Sequence, residues 1–224
     1  MEDLGKIHQL LVDLFGYEMT FNLEPIVMTW IVIIGLLVFG YAAASRRQLV
    51  PGKIQAMGEL FVYQFYSLTE DALDAEMAKS YAPLITALFM FLLFSDWIGM
   101  IPHMHEPTKD LNTPLSLGIL GFFIAHYAGI KHKGFKAYIK DYFEPIFFMA
   151  PLNLVGEMAK VISISFRLFG NILGGSIIIL VVSHLAFSLV LPPFLVAFFV
   201  IFIGAIQAFV FTMLTLVYIA VQVK

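Results

Sequence analysis

Residues 168–223 read LFGNILGGSIIILVVSHLAFSLVLPPFLVAFFVIFIGAIQAFVFTMLTLVYIAVQV, a run of 56 residues without one Asp, Glu, Lys or Arg. One membrane crossing takes about 20 predominantly apolar residues, so a run of this length must fold back on itself within lipid. Pro192-Pro193 near its middle is the obvious breaker, since proline lacks a backbone donor and clashes with the preceding turn. The run therefore predicts a hairpin of two long helices, roughly residues 147–190 and 194–222.

Working outward, three shorter apolar runs precede it, at residues 26–44, 81–101 and 115–130. The first ends at Arg46-Arg47 with the length and flank of a span, the second is interrupted by Asp96 and closed by Pro102, and the third is followed by Lys131, Lys133, Lys136 and Lys140. Residues 51–79 mix acids and tyrosines with apolar positions; Glu59, Glu70, Asp71, Asp74 and Glu76 are too many charges for a span. That stretch reads as an amphipathic segment lying at the interface. The expected fold class is an all-α polytopic membrane protein with five membrane-spanning helices, one membrane domain over residues 1–224, and its last two helices forming a long tilted hairpin.

Composition excludes the alternatives. Of 224 residues, 60% are hydrophobic, 13% are charged and 23 are Phe, against about 45–50% apolar and about 25% charged in soluble domains. A globule of this length cannot hide so much apolar surface, which rules out a soluble enzyme. A net charge of −3 offers no basic face for nucleic acid. With no cysteine there is no disulfide, zinc-thiolate site, thiol nucleophile or haem attachment. The acidic N-terminal stretch lacks a basic leader, so no cleavable signal peptide is expected.

Orientation follows from charge. Arg46, Arg47 and Lys53 flank one loop, and Lys131, Lys133, Lys136 and Lys140 fill another, while Glu2-Asp3 and residues 106–110 lie opposite. Basic loops stay cytoplasmic, which predicts the N-terminus outside and Lys224 inside.

Arg167 is the residue out of place, deep in an apolar stretch. Arg at a bilayer centre costs about 2.5–3.5 kcal/mol on insertion scales, and it cannot shed its proton to escape. At helical spacing Lys160, Ser163, Arg167, Asn171 and Gly174 share one face, and Gly174-Gly175 leave room for another helix. Structurally, Arg167 could snorkel or bridge Glu157. If its partner is neither Glu157 nor Asp96, that partner belongs to another subunit. In the last helix Gln207 is a buried amide that needs a bond, and Gly204 makes room on the same face.

Arg167-Leu-Phe-Gly-Asn171, with Pro151-Leu-Asn153 and Ser163-Ile-Ser165 before it and Gln207-Ala-Phe-Val-Phe after it, resembles subunit a of F-type ATP synthases. Met28-Thr-Trp30, Val50-Pro-Gly-Lys53, Asp110-Leu-Asn-Thr113 and Gly129-Ile-Lys131 extend the resemblance over nearly the whole chain. The resemblance implies the ion-translocating stator of a rotary motor in a bacterial plasma (inner) membrane. Its implied partners are a rotor ring of small hairpin subunits bearing carboxylates, peripheral-stalk membrane subunits, the soluble catalytic head reached indirectly, and the lipid bilayer. It implies Arg167 as the essential arginine facing the ring, with Asn171 and Gln207 beside it and two offset half-channels. Glu157, Ser176, Asp96, Asp110 and Asn112 are the further candidates for the ion pathway. No cofactor or metal is expected.

The sequence departs from that family where many proton-driven members carry an ionisable pair: Ser176 stands nine residues after the arginine and Val200 seven before the glutamine. Any proton relay must then use other groups, with Glu157, Asp96 and His184 as candidates, and proton and sodium both remain open. A secondary transporter is the alternative reading, although the repeats typical of that class are missing. Without a phosphate-binding glycine loop, this chain alone is not expected to hydrolyse ATP.

Overall fold

Among the described residues of the computed structural model, five helices are long and apolar enough to cross a membrane. Residues 9–14, 17–45, 51–101, 104–143, 149–185 and 191–224 are described. The helices are α1 (Leu23–Ser45), α2 (Lys53–Ala72), α3 (Ala75–Trp97), α4 (Asn112–Lys133), α5 (Phe135–Phe143), α6 (Met149–Leu185), α7 (Leu191–Val196) and α8 (Gly204–Val223). A π-helical segment, Ala197–Ile203, joins α7 to α8.

The polytopic, nearly all-helical class agrees with the sequence, and three details differ from it. An antiparallel hairpin of β1 (Gln9–Leu14) and β2 (Tyr17–Asn22), in register from Gln9↔Asn22 to Leu14↔Tyr17, precedes α1. Alternation in Tyr17-Glu-Met-Thr-Phe-Asn22 is a strand pattern that the helical signals downstream overshadow. Next, the second span starts at Ala75 rather than 81, because Asp74 takes the N-cap position and Glu76 the first turn, where an acid suits the helix dipole. Finally, Pro192-Pro193 open α7 instead of forming the turn. Proline is accepted in a first helical turn, whose N–H groups have no intrahelical partner. The turn itself, and with it residues 186–190 and 147–148 of the expected helix, lies outside the described residues. So do Glu2-Asp3 and Arg46-Arg47 of the charge argument.

The core is built by α3, α4, α6 and α8, with α1 and α2 flanking α3. Ile85, Leu92, Leu168, Phe211, Leu216 and Ile219 are fully buried in it. Phe65 of α2 meets Phe89 of α3 with ring centroids 4.5 Å apart, so the segment expected at the interface is a helix docked on α3. Among its described positions α1 buries only Val32, as suits a helix whose solvent is lipid.

Close approach in the core relies on glycine. A methyl at Gly118 would stand 2.5 Å from Ser165 Oγ, and one at Gly129 would stand 2.7 Å from Tyr138 and 2.9 Å from the Gln222 carbonyl. These positions on α4 let α6 and α8 approach within van der Waals range, the usual means of helix association where hydrophobic drive is weak.

Candidate functional site

Along α6 one face is inside and one is out. Ile164, Ser165, Leu168, Ile172 and Gly175 are buried, at spacings of three and four, while Lys160, Ser163, Arg167 and Asn171 are exposed. The polar stripe read from the sequence is therefore real and lies on the surface of the chain. Large apolar side chains on either side of it, Ile162, Phe166, Ile177 and Ile178, are exposed as well.

Arg167 makes no hydrogen bond or ion pair with any described residue. Both acids that could have neutralised it within the chain are engaged elsewhere. Asp96 is fully buried, accepting from Thr108 Oγ1 at 2.7 Å. Glu157 pairs with His126, Oε2 to Nε2 at 2.8 Å, and accepts from Gln222 Nε2. Lys160, the alternative partner for Glu157, instead sits 5.6 Å above the ring of Tyr218.

Among the described residues, one hydrogen bond joins the stripe to the interior. Asn171 Nδ2 donates to Gln207 Oε1 at 2.8 Å, and Gln207 is 3% exposed. The bond of Gln207 is to Asn171, one turn beyond Arg167, and not to the arginine itself. Gln207 Nε2 is buried with no hydrogen-bond partner among the described residues.

Gly204 does not face α6. A methyl there would stand 3.1 Å from Asp96 Cβ, so this glycine admits α3. Space on the α6 side comes from Gly175, where a methyl would stand 2.9 Å from Phe199 of the π segment. Gly174 has nothing within 4 Å of such a methyl and leaves the stripe open. Since Val200 belongs to the π segment, its seven-residue separation from Gln207 is not two α-helical turns. That wide winding, an arrangement often found at functional sites, was not legible in the sequence.

The hairpin arms run antiparallel in step. Glu157 meets Gln222, Lys160 meets Tyr218 and Asn171 meets Gln207. At a rise of 1.5 Å per residue, the first and last of these contacts are about 21 Å apart along α6. Arg167 lies between them, nearer the Asn171 end, with the phenol of Tyr218 in range of its charge.

The remaining candidates have local roles. Asp110 accepts from Asn22 Nδ2 at 2.8 Å and from the Asn112 backbone N–H at 3.0 Å, which ties the end of β2 to the start of α4. Asn112 contributes its backbone to that junction. Ser176 donates to the Ile172 carbonyl at 3.0 Å, and His184 is exposed near the end of α6.

Sequence reasoning missed His126, Gln222, Tyr138 and Thr108. His126 could have been found, because an ionisable residue inside a span is a functional candidate by default. Gln222 and Tyr138 gave no comparable signal, lying beside Lys224 and among the lysines of the basic segment. Among the described residues, no group of three or more His, Cys, Asp or Glu is placed to hold a metal.

The family model for the ATP synthase A chain matches residues 26–220. The chain is 38% identical over 226 residues to ATP synthase subunit a of Campylobacter jejuni (strain RM1221), covering 98% of this chain and 96% of the relative. It is 36% identical over 207 residues to ATP synthase subunit a of Moorella thermoacetica, covering 89% and 93%. With subunit a of Geobacter sp. (strain M21) the figure is 36% over 201 residues, covering 88% and 86%. A match across almost all of both chains leaves one conclusion: this chain belongs to the ATP synthase subunit a family, the membrane stator subunits of F-type ATP synthases.

Proposed function

We propose that this chain couples transmembrane ion flow to rotation by presenting Arg167 to the ring carboxylates and by separating two offset half-channels. The observation that carries the reading is the exposed Arg167, a permanent cation in a span while both nearby acids of the chain are bonded elsewhere. In lipid such a charge needs neutralisation, and here it must come from outside the chain. A carboxylate on a passing ring subunit supplies it. Conversely, the arginine favours the deprotonated form of that carboxylate, which releases its ion into one half-channel before binding another from the opposite one. Since Arg167 cannot titrate, it also blocks direct transfer between the channels.

The chain acts as a single membrane domain with its N-terminus outside and Lys224 in the cytoplasm. Asp96 with Thr108 belongs to the outer half and Glu157 to the inner half. Two features support this arrangement. Asp96 faces Gly204, one turn from Gln207, whereas Glu157 lies at the end of the bundle that carries the basic segment 131–140. The membrane potential supplies about 2.3 kcal/mol per charge per 100 mV to bias the motion.

The test is Arg167→Ala in the assembled complex, measuring ATP synthesis driven by an imposed ion gradient. The expected result is synthesis at background with the ring still co-purifying. Synthesis at the wild-type rate would overturn the reading.

A further inference from the structure

We propose that His126 and Glu157 share one exchangeable proton and form the proton-exchange station at the basic end of the bundle, an inference that rests on the stator reading above. His126 Nδ1 lies 2.9 Å from the Phe122 carbonyl. A carbonyl can only accept, so Nδ1 carries a hydrogen. The other ring nitrogen, Nε2, is 2.8 Å from Glu157 Oε2. Two forms satisfy that contact: an imidazolium donating to a carboxylate, or a carboxylic acid donating to a neutral imidazole. Each has one proton on the line between Nε2 and Oε2. Without that proton, two lone pairs would face each other at hydrogen-bond distance, so the observed contact corresponds to the loaded pair.

The surroundings hold the pair without taking its proton. Glu157 Oε1 accepts from Gln222 Nε2, and Gln222 Oε1 accepts from Tyr138 at 2.9 Å. An amide neither gains nor loses a proton near neutral pH, so Gln222 is a positioning residue, and Tyr138, whose hydroxyl donates to it, holds that amide in place. The ring of Phe122 lies against His126, tilted by 38° with centroids 3.9 Å apart, and limits its rotation. Among the described residues, titratable groups facing the pair include Lys160 on α6, Tyr218 on α8 and Tyr138 on α5.

Access exists on both sides. His126 and Glu157 side chains are 21% and 14% exposed, at the end of the bundle that carries the basic segment 131–140. The same small cleft is lined by Lys160 and Tyr218, and Tyr218 leads toward Arg167. In one cycle a proton released near Arg167 by a ring carboxylate reaches the pair through water in this cleft. The proton already held passes to bulk water at the basic end. Only N–H and O–H bonds form and break, nothing is oxidised, and running the motor backward reverses the order.

The experiment uses the whole complex in liposomes without sodium, measuring passive proton flux under an imposed potential across neutral and alkaline pH. His126→Gln and Glu157→Gln preserve hydrogen bonding but remove titration, and co-purification of the ring reports assembly. Flux is expected to fall by about tenfold or more in each variant, and the double variant should lose little more because the two groups act as one unit. Wild-type flux with an unchanged pH profile in His126→Gln overturns the proposal, as does wild-type flux that requires sodium. Arg167→Ala run alongside separates the failures: if it retains coupled synthesis, the stator reading has failed. If it is uncoupled while His126→Gln is normal, only the shared proton has failed. Should a glutamine variant not assemble, histidine-labelled magnetic resonance of the wild-type complex in lipid reads the same contact. One titration shared by imidazole and carboxyl is expected there, and two independent titrations would overturn it.

Discussion

Arg167 and Asp96 are both ionisable groups within spans, and the chain treats them in opposite ways. Asp96 is fully buried, with Thr108 donating to one oxygen and Glu106 packed against Gly99 one turn away. Arg167 is exposed on the open face of α6, among apolar side chains that are exposed with it. A group wrapped by its own chain serves the chain's own architecture or a path through it. A charge left unwrapped in a span marks the surface where another molecule must complete it.

The largest effect is expected at Arg167 itself. Arg167→Lys keeps one positive charge yet should reduce gradient-driven ATP synthesis to background, as alanine does. An ammonium loses its proton when desolvated and lacks the guanidinium's planar fork. Substantial synthesis in the lysine variant would show that charge alone suffices and that the permanence of the cation is irrelevant.

The contrast breaks if Arg167 is given a partner inside its own chain. Ser163 is exposed one turn before Arg167, and Glu four residues N-terminal to a cation is the favourable helical order. Such a pair is worth under about 1 kcal/mol in water but more where water is scarce. Ser163→Glu is therefore expected to trap the arginine and cut coupled synthesis by roughly tenfold, equivalent to about 1.4 kcal/mol, while Ser163→Gln retains most of it. Equal losses in both variants would point to bulk at the ring surface rather than to charge.

At the buried site the expected loss is in stability. Asp96→Leu removes the acceptor of the enclosed Thr108 hydroxyl, and leaving such a group unsatisfied costs about 1–3 kcal/mol. The purified complex should lose its ring at a lower temperature, whereas Asp96→Asn, still able to accept from Thr108, should hold close to wild type. Asp96→Asn then also tests the outer half-channel: if proton flux collapses in a stable complex, the group titrates during turnover.

The fold was largely legible because it is written in one variable, apolar length. The charge-free run from Leu168 to Val223 and the three shorter runs set the number of spans, and helical spacing placed Lys160, Ser163, Arg167 and Asn171 on one face. What the sequence withheld were partners across helices. Nothing local says that Gly204 faces Asp96 instead of α6, or that Glu157 reaches His126 and Gln222, because these contacts join residues 65 or more positions apart in most cases and exist only once four helices have packed. The π segment was hidden for a related reason. Ala197–Ile203 carries no glycine or proline to mark it, and its winding follows from packing, with Phe199 seated against Gly175.

The smallest effect is expected at Ser176, at the position where many proton-driven relatives of this family carry an acid. Its hydroxyl donates to the Ile172 carbonyl four residues back in its own helix, a bond that helical serines make locally without recruiting a partner. The side chain is half-buried, so Ser176→Ala removes a weak internal bond, opens little space and leaves no enclosed acceptor, since Ile172 keeps its helical donor. Stability should change by less than about 0.5 kcal/mol, and coupled synthesis and passive proton flux should match wild type. That outcome would confine ion handling in α6 to the surface stripe and to Glu157. A loss of flux beyond twofold in an assembled complex would instead return the hydroxyl to the ion path. The contrast between a wrapped Asp96 and an open Arg167 would then need a third member, a neutral group that conducts by hydrogen bonding alone.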